Sequence, residues 1–320
     1  LAEPAGRKKA KGVRVRNYLV ISDLHEGFEE AKAIGPVAKS EKFDAVINLG
    51  DYIADWHTDQ KELIERTSRQ LAPLAGQNVI AIPGNHDNAE NLRTALSQYK
   101  GMHDIHGKSY AEGGGIGYVG FGGSEKSRKS PNVPAALDRA HYAPKEFTDS
   151  LQKSFEHLYN ENKVEPKDAM LVLHTPMRGI FDLANSHYTG NKIRIGSSAI
   201  EKVVNDRDPG VILSGHCHDD YGACIRVRKK DSNPAERRYA TLRLDDLDAG
   251  SHSLLGVKID VEHTGKSRGV YNVSYDLNDS YVNTFLNPGS LGYEHSYAKL
   301  RIADDEANHR RNLRIEFSKL

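Results

Sequence analysis

The stretch Asn78-Val79-Ile80-Ala81-Ile82-Pro83-Gly84-Asn85-His86-Asp87 sets the reading of the chain: an apolar run that delivers four polar residues, followed by a helix-like pattern. Open α/β sheets place their chemistry at the carboxyl ends of strands, where this loop falls. Taken alone, Gly-Asn-His-Asp also reads as an ordinary turn, because Gly and Asn are the default turn formers. The same arrangement recurs four more times. Residues 17–22 end in Asp23-Leu24-His25, residues 44–49 deliver Gly50-Asp51, residues 168–173 end in His174, and residues 210–214 end in Gly215-His216-Cys217-His218.

Between these runs lie helix-like segments at 28–40, 60–75, 147–160 and 197–205. Short apolar strands alternating with helices of 10 to 15 residues indicate βαβ units and a parallel sheet core. After Asp87 the texture changes to Gly-punctuated strands at 103–110 and 115–121. Gly115, Gly117 and Gly120 formally satisfy G-x-G-x-x-G, but Gly122-Gly123-Ser124 and a charged loop follow where a dinucleotide fingerprint requires a helix. Hairpins of a second sheet fit better. The segment 125–144 is an active-site loop or a surface insertion. From 225 to 282 the chain turns polar with alternating runs, which predicts an inserted β-rich meander or cap before the pattern resumes at Phe285.

The length of 320 residues allows a sizeable core, read as one domain over 15–320 after a disordered basic tail at 1–14. Lys plus Arg and Asp plus Glu both number 44, so no net charge steers the chain toward nucleic acid or an anionic membrane. No run approaches the roughly 18 consecutive apolar residues of a membrane span. The two cysteines, Cys217 and Cys224, are too few for a disulfide scaffold and fit a reducing, cytoplasmic setting. The chain opens at Leu1 rather than Met, as expected of a trimmed or processed product.

Asp23, His25, Asp51, Asn85, His174, His216 and His218 all offer oxygen or imidazole nitrogen to a divalent metal, and all follow apolar strands. Seven mixed donors exceed one tetrahedral zinc and suit two metals about 3.5–4 Å apart with a shared carboxylate. Asp51, a lone carboxylate beside glycine, is the natural bridge. Cys217 is expected to point away, since alternate residues of extended chain face opposite sides.

In this order the motifs resemble the signature of the calcineurin-like metallophosphoesterase superfamily, over most of 17–220 and again near 285–302. Asn287-Pro288-Gly289-Ser290, His174-Thr175-Pro176, Asp182 and Gly196-Ser197 are similar to its small phosphodiesterase branch. The resemblance implies two mixed β-sheets packed as a sandwich flanked by helices. It implies that Asp23, His25, Asp51 and His218 hold one divalent transition metal and Asp51, Asn85, His174 and His216 a second, drawn from Mn, Fe, Zn or Ni. A bridging hydroxide would attack phosphorus, and His86 would contact the phosphate and protonate the leaving alkoxide. Asp87 is expected to orient the His86 ring, to cap the next helix, or to do both. Asp55, His57 and Arg178 are weaker candidates for supporting contacts.

The expected activity is hydrolysis of a phosphodiester in a small or nucleotide-like substrate. The alternatives are a phosphomonoesterase, including a protein phosphatase, a protein-binding scaffold, and a nuclease. The last would use Arg226, Arg228, Lys229, Lys230, Arg237 and Arg238 as a basic surface, with steep salt dependence.

Overall fold

A computed structural model describes residues 13–53, 59–111, 116–125, 141–185, 191–229, 239–262, 267–278 and 280–320. The first half of the chain runs β1 (Val13–Ile21), α1 (Phe28–Ser40), β2 (Ala45–Asn48), α2 (Gln60–Leu71), β3 (Val79–Ala81), α3 (Ala89–Leu96) and β4 (Met102–Asp104). These four strands lie side by side and parallel. Val13 and Arg14, the end of the expected tail, open β1 opposite Asp305 and Asp304.

Next come β5 (Lys108–Ala111), β6 (Gly117–Phe121), the short pair β7 (Ser124–Glu125) and β8 (His141–Tyr142), α4 (Pro144–Asn160), and β9 (Ala169–Leu173). The hairpin β10 (Leu183–Asn185) and β11 (Lys192–Arg194), α5 (Ser198–Arg207) and β12 (Val211–Leu213) follow. β6, β9 and β12 are parallel neighbours. β6 leads into β7 at Ser124, where a dinucleotide fingerprint would open a helix.

The remainder is β13 (Gly222–Lys229), β14 (Ala240–Arg243), β15 (Gly250–Leu254), β16 (Val257–Glu262), β17 (Ser267–Asp276), β18 (Ser280–Asn287), α6 (Leu291–Glu294), β19 (Ser296–Asp305) and β20 (Arg310–Lys319). The segment expected as an inserted cap supplies strands to the two large sheets. One has nine strands in the order β15-β16-β17-β20-β19-β1-β2-β3-β4, the other seven in the order β14-β13-β18-β12-β9-β6-β5. Val257, Ile259 and Val261 of β16 are buried while Lys258 and Glu262 are exposed, so the alternating pattern belongs to a strand covered on one face.

Both sheets are mixed, and alternation along their strands divides the core into three layers. Tyr18 and Val20 of β1 face the seven-stranded sheet and pack with Tyr118, Met170 and Val172. Leu19 and Ile21 face the other way and pack under Ile34, Leu71 and Leu92 of α1, α2 and α3. On the far side Phe147, Leu151, Phe155 and Leu158 form the helical stripe of α4 over Val119, Leu171 and Ile212. The architecture is therefore helices, sheet, sheet, helices. Among the described residues no helix is long and apolar enough to cross a membrane.

The two sheets are clamped near the amino end of β1 by a buried guanidinium. Arg311 of β20 donates from Nε to Asp304 Oδ1 (2.6 Å) and from Nη2 to Asp168 Oδ1 (2.5 Å), and from Nη1 to the Lys167 carbonyl just before β9. Arg16 holds the second Asp304 oxygen at 3.0 Å. Removing one member of a buried ion network strands the others without a counter-charge. Arg311→Ala is expected to lower unfolding stability by about 3–5 kcal/mol, measured by urea titration, with stability unchanged if the network contributes nothing.

Candidate metal centre

The carboxyl ends of β1, β2, β3, β9 and β12 converge, and the loops that follow them bring all seven donor residues expected from the sequence into one cluster. Asp23, His25 and His218 form one group of donor atoms within 4.8 Å of one another; Asp51, His174 and His216 form another; His25, Asp51 and His86 form a third. Asn85 joins through Oδ1, 2.9 Å from His174 Nε2. Asp23, Asp51 and His174 are almost wholly buried.

Each carboxylate spends one oxygen on the protein and aims the other inward. Asp23 Oδ2 accepts the Ser22 hydroxyl and the His216 backbone N–H (3.0 Å), leaving Oδ1 at 3.0 Å from His218 Nε2 and 3.7 Å from His25 Nε2. Asp51 Oδ1 accepts the His86 backbone N–H (2.8 Å), leaving Oδ2 at 3.6 Å from His25 Nε2 and 3.4 Å from His174 Nε2. Asp51 Oδ2 thus belongs to both halves of the cluster. Burial works against both carboxylate charges, but the surrounding imidazoles outweigh it and hold both well below the usual range. Burial and the charge of His174 push His216 down to about 3, which keeps its ring neutral. For His174 burial favours the neutral form, and the Asp51 carboxylate reverses this and raises it to about 9.

The donor set fits a metal on two counts. Separations of 2.9–3.7 Å among the facing atoms are close to the edge lengths of a coordination polyhedron, since bonds of about 2.0–2.2 Å at tetrahedral or octahedral angles give edges of about 2.8–3.6 Å. The hydrogen bonding points the same way. His174 Nδ1 lies 2.9 Å from the Leu49 carbonyl and donates to it, so in a neutral ring Nε2 turns its lone pair toward the Asn85 and Asp51 oxygens. Three electron-rich atoms face one another there, which only a cation or an added proton makes favourable.

The loop geometry is strained. Asp23, His25, Asp51 and His216 all have left-handed backbone, with φ between 44° and 66°. Gly50 and Gly84 touch, and a Cβ on Gly84 would lie 1.9 Å from Asp51 Oδ1.

Asp87 differs from both expectations. Its oxygens accept four backbone N–H groups, from Gly84 (2.7 Å), Asp51 (2.8 Å), Tyr52 (3.0 Å) and Ile53 (3.2 Å), and do not orient the His86 ring. The helix cap is Asn88, whose side chain accepts from Glu90 and Asn91. Arg178 is exposed, Cys217 is buried with its thiol turned to the Leu183 carbonyl, and Asp55 and His57 lie outside the described residues, as does most of 125–144.

Sequence reasoning left several contributors without a role. Asn287 donates from Nδ2 to the carbonyls of Cys217 (3.1 Å) and Asp220 (3.2 Å), gripping the chain on both sides of His218. Ser290 donates to the Asp23 carbonyl at 2.8 Å. The signal for both was the Asn-Pro-Gly-Ser turn. Tyr293, tilted against His25 and His218, gave no signal beyond being aromatic.

Residues 16–220 match the family model described as calcineurin-like phosphoesterase. No curated protein matches the chain. Among solved structures, the protein TT1561 of Thermus thermophilus superposes with a TM-score of 0.51 at 12% identity, covering 94% of this chain and 98% of that one. A dimetal phosphatase from Danio rerio gives 0.48 at 10% identity, over 90% and 95%. At 12% identity the likeness to TT1561 is one of fold.

Gly84→Ala forces a methyl group onto Asp51 and is expected to weaken binding of Mn(II) about tenfold or more while the protein stays folded. Calorimetric metal titration beside circular dichroism checks this; unchanged affinity would mean that the Gly84 contact does not set the position of Asp51.

Proposed function

The chain belongs to the calcineurin-like phosphoesterase family and is a hydrolase of phosphoester bonds, and from that premise we propose a phosphodiesterase acting on a small, nucleotide-like ester through two divalent transition metals. The observation that carries the two-metal reading is Asp51 Oδ2, faced by imidazole nitrogens from both halves of the cluster. In this reading Asp23, His25, Asp51 and His218 hold one ion, and Asp51, Asn85, His174 and His216 hold the other. Bound there, two cations supply Lewis-acid charge to phosphoryl oxygens and lower the pKa of water.

The chain's own residues supply position and protons. Ser22 and the His216 backbone fix the Asp23 carboxylate, and the Leu49 carbonyl fixes the His174 tautomer. His86 has its backbone tied to Asp51, while its side chain is 27% exposed and its ring stands edge-on to His25, 5.2 Å between centroids. That places an imidazole at the rim of the cluster, where it can donate a proton to a departing alkoxide. Such a donor matters most where the leaving group is a poor alkoxide, and the Asn-Pro-Gly-Ser turn at 287–290, similar to that of the small phosphodiesterase branch, favours diesters over monoesters. Asp87 acts on this reading as the anchor of the His86 loop.

The basic surface of the nuclease alternative loses two members. Arg226 is buried against Asn283 and Asn205, and Arg228 against Asp208, with Tyr239 and Tyr281 packed on the guanidinium groups. Lys230, Arg237 and Arg238 lie outside the described residues. A cytoplasmic location fits the two unpaired, buried cysteines.

A screen of Mn, Fe, Zn and Ni against bis(p-nitrophenyl) phosphate and p-nitrophenyl phosphate tests the proposal. Faster turnover of the diester is expected, with loss of activity on chelation and in Asp51→Asn; an Asp51→Asn enzyme with full activity would sink the two-metal reading. His86→Ala should cost about 10²–10⁴ in kcat on a diester with an alkyl leaving group and markedly less on a nitrophenyl ester, whose leaving group needs no proton. Equal losses on both would refute the proton-donor assignment.

A further inference from the structure

A second ring stands at the mouth of the cluster. Tyr293 is 60% exposed, yet its backbone is hydrogen-bonded into the site. Its N–H donates to the Ser290 hydroxyl at 3.1 Å, and that hydroxyl donates to the Asp23 carbonyl. Leu291, fully buried, donates its N–H to Ser22, and Gly292 donates to Asp23 at 3.1 Å. Gly292 lies so close to the first loop that a Cβ would stand 2.1 Å from the Leu24 carbonyl. The four-residue α6 is therefore fastened to the loop that carries Asp23 and His25, and the exposure of Tyr293 belongs to a fixed backbone.

The ring itself leans on two of the cluster's imidazoles, 5.0 Å from His25 at 36° and 5.4 Å from His218 at 40° between centroids. Those contacts set its orientation beside the donor atoms and leave much of its surface to solvent. A fixed aromatic ring left open beside such a cluster offers a surface on which a flat group can lie. Stacking on an exposed ring tolerates any planar π-surface, which suits a nucleobase and gives a plain alkyl group little.

Resting on the phosphodiesterase reading, we propose that Tyr293 is a specificity-determining platform on which the base of a nucleoside ester stacks while its phosphate lies at the His and Asp cluster. The substrate class is then a nucleotide diester rather than an alkyl one. Tyr293 takes no part in bond breaking.

Two esters with the same leaving group separate the platform from the chemistry: thymidine 5′-(p-nitrophenyl) phosphate and methyl p-nitrophenyl phosphate. In the Mn-loaded protein, Tyr293→Ala is expected to lower the ratio of kcat/KM on the thymidine ester to that on the methyl ester about tenfold. The change should fall mainly in KM, and Tyr293→Phe should keep the ratio within about twofold of the parent protein. Loss of packing against His25 and His218 would affect both esters alike and cancel in the ratio. An unchanged ratio in Tyr293→Ala overturns the proposal. A parent protein inactive on both esters would instead defeat the phosphodiesterase reading. Calorimetric binding of thymidine monophosphate then decides the platform alone: weaker binding to Tyr293→Ala supports it, and equal binding removes it.

Discussion

Four backbone N–H groups converge on the buried carboxylate of Asp87, and the geometry of the centre depends on that contact. Asp51, Tyr52 and Ile53 give consecutive donors, a concave arrangement that selects an anion. Burial and the nearby Asp51 charge push the Asp87 carboxyl up to about 7, while the N–H groups pull toward the anion. A protonated Asp87 would turn a donor toward donors, so the anion is the form the loops are shaped for. Asp51 returns the contact by accepting the His86 N–H. The loops after β2 and β3 thus hold each other through two carboxylates, one of which also faces the metal-type donors.

This interlocking explains how the chain keeps so many residues in left-handed backbone. Asp23, His25, Glu26, Asp51 and His216 each sit where an L-residue is disfavoured by roughly 1–2 kcal/mol. Their hydrogen bonds run to neighbouring loops. Asp23, His25 and Glu26 donate to the carbonyls of Gly50, Asp51 and Tyr52, all at 2.9 Å, and His216 donates to Asp23 Oδ2. Each strained turn is thus supported by another turn of the same site, so displacement of one loop loosens the rest.

The strand ends were legible because parallel strands covered on both faces are written as unbroken apolar runs, a local signal that any window of residues displays. The donors stood out for the same reason, each being the first polar residue after such a run. What was not legible is set at long range. Asp87 and Asn88 are both good capping residues; only the position of β2's loop, some 35 residues earlier, occupies Asp87 and leaves the cap to Asn88. The strands at 250–276 alternate as half-covered strands do, but which sheet they join depends on β17 meeting β20. Arg226 and Arg228 read as surface charge until α5 supplies Asn205 and the following turn Asp208 on the same face. Tyr293 carries no pattern at all, and only its neighbours give it meaning.

The donors come from both sheets, which imposes a further requirement. Asp23, His25, Asp51 and Asn85 follow strands of the nine-stranded sheet, while His174, His216 and His218 follow strands of the seven-stranded one. Packed sheets lie about 10 Å apart, and metal–ligand distances tolerate only about 0.2 Å, so sheet packing alone cannot position the set. Hydrogen bonds across the seam do the finer work. The Leu49 carbonyl, after β2, orients His174 after β9; Asp23, after β1, accepts from the His216 backbone after β12; Ser290, after β18, holds the Asp23 carbonyl in return. Pro83, before the Asn85 loop, accepts from Gly123 after β6. Donors on one sheet are aimed by groups on the other, so the centre exists only where the two sheets meet in register, and the Arg311 clamp near the opposite end of β1 helps to keep that register.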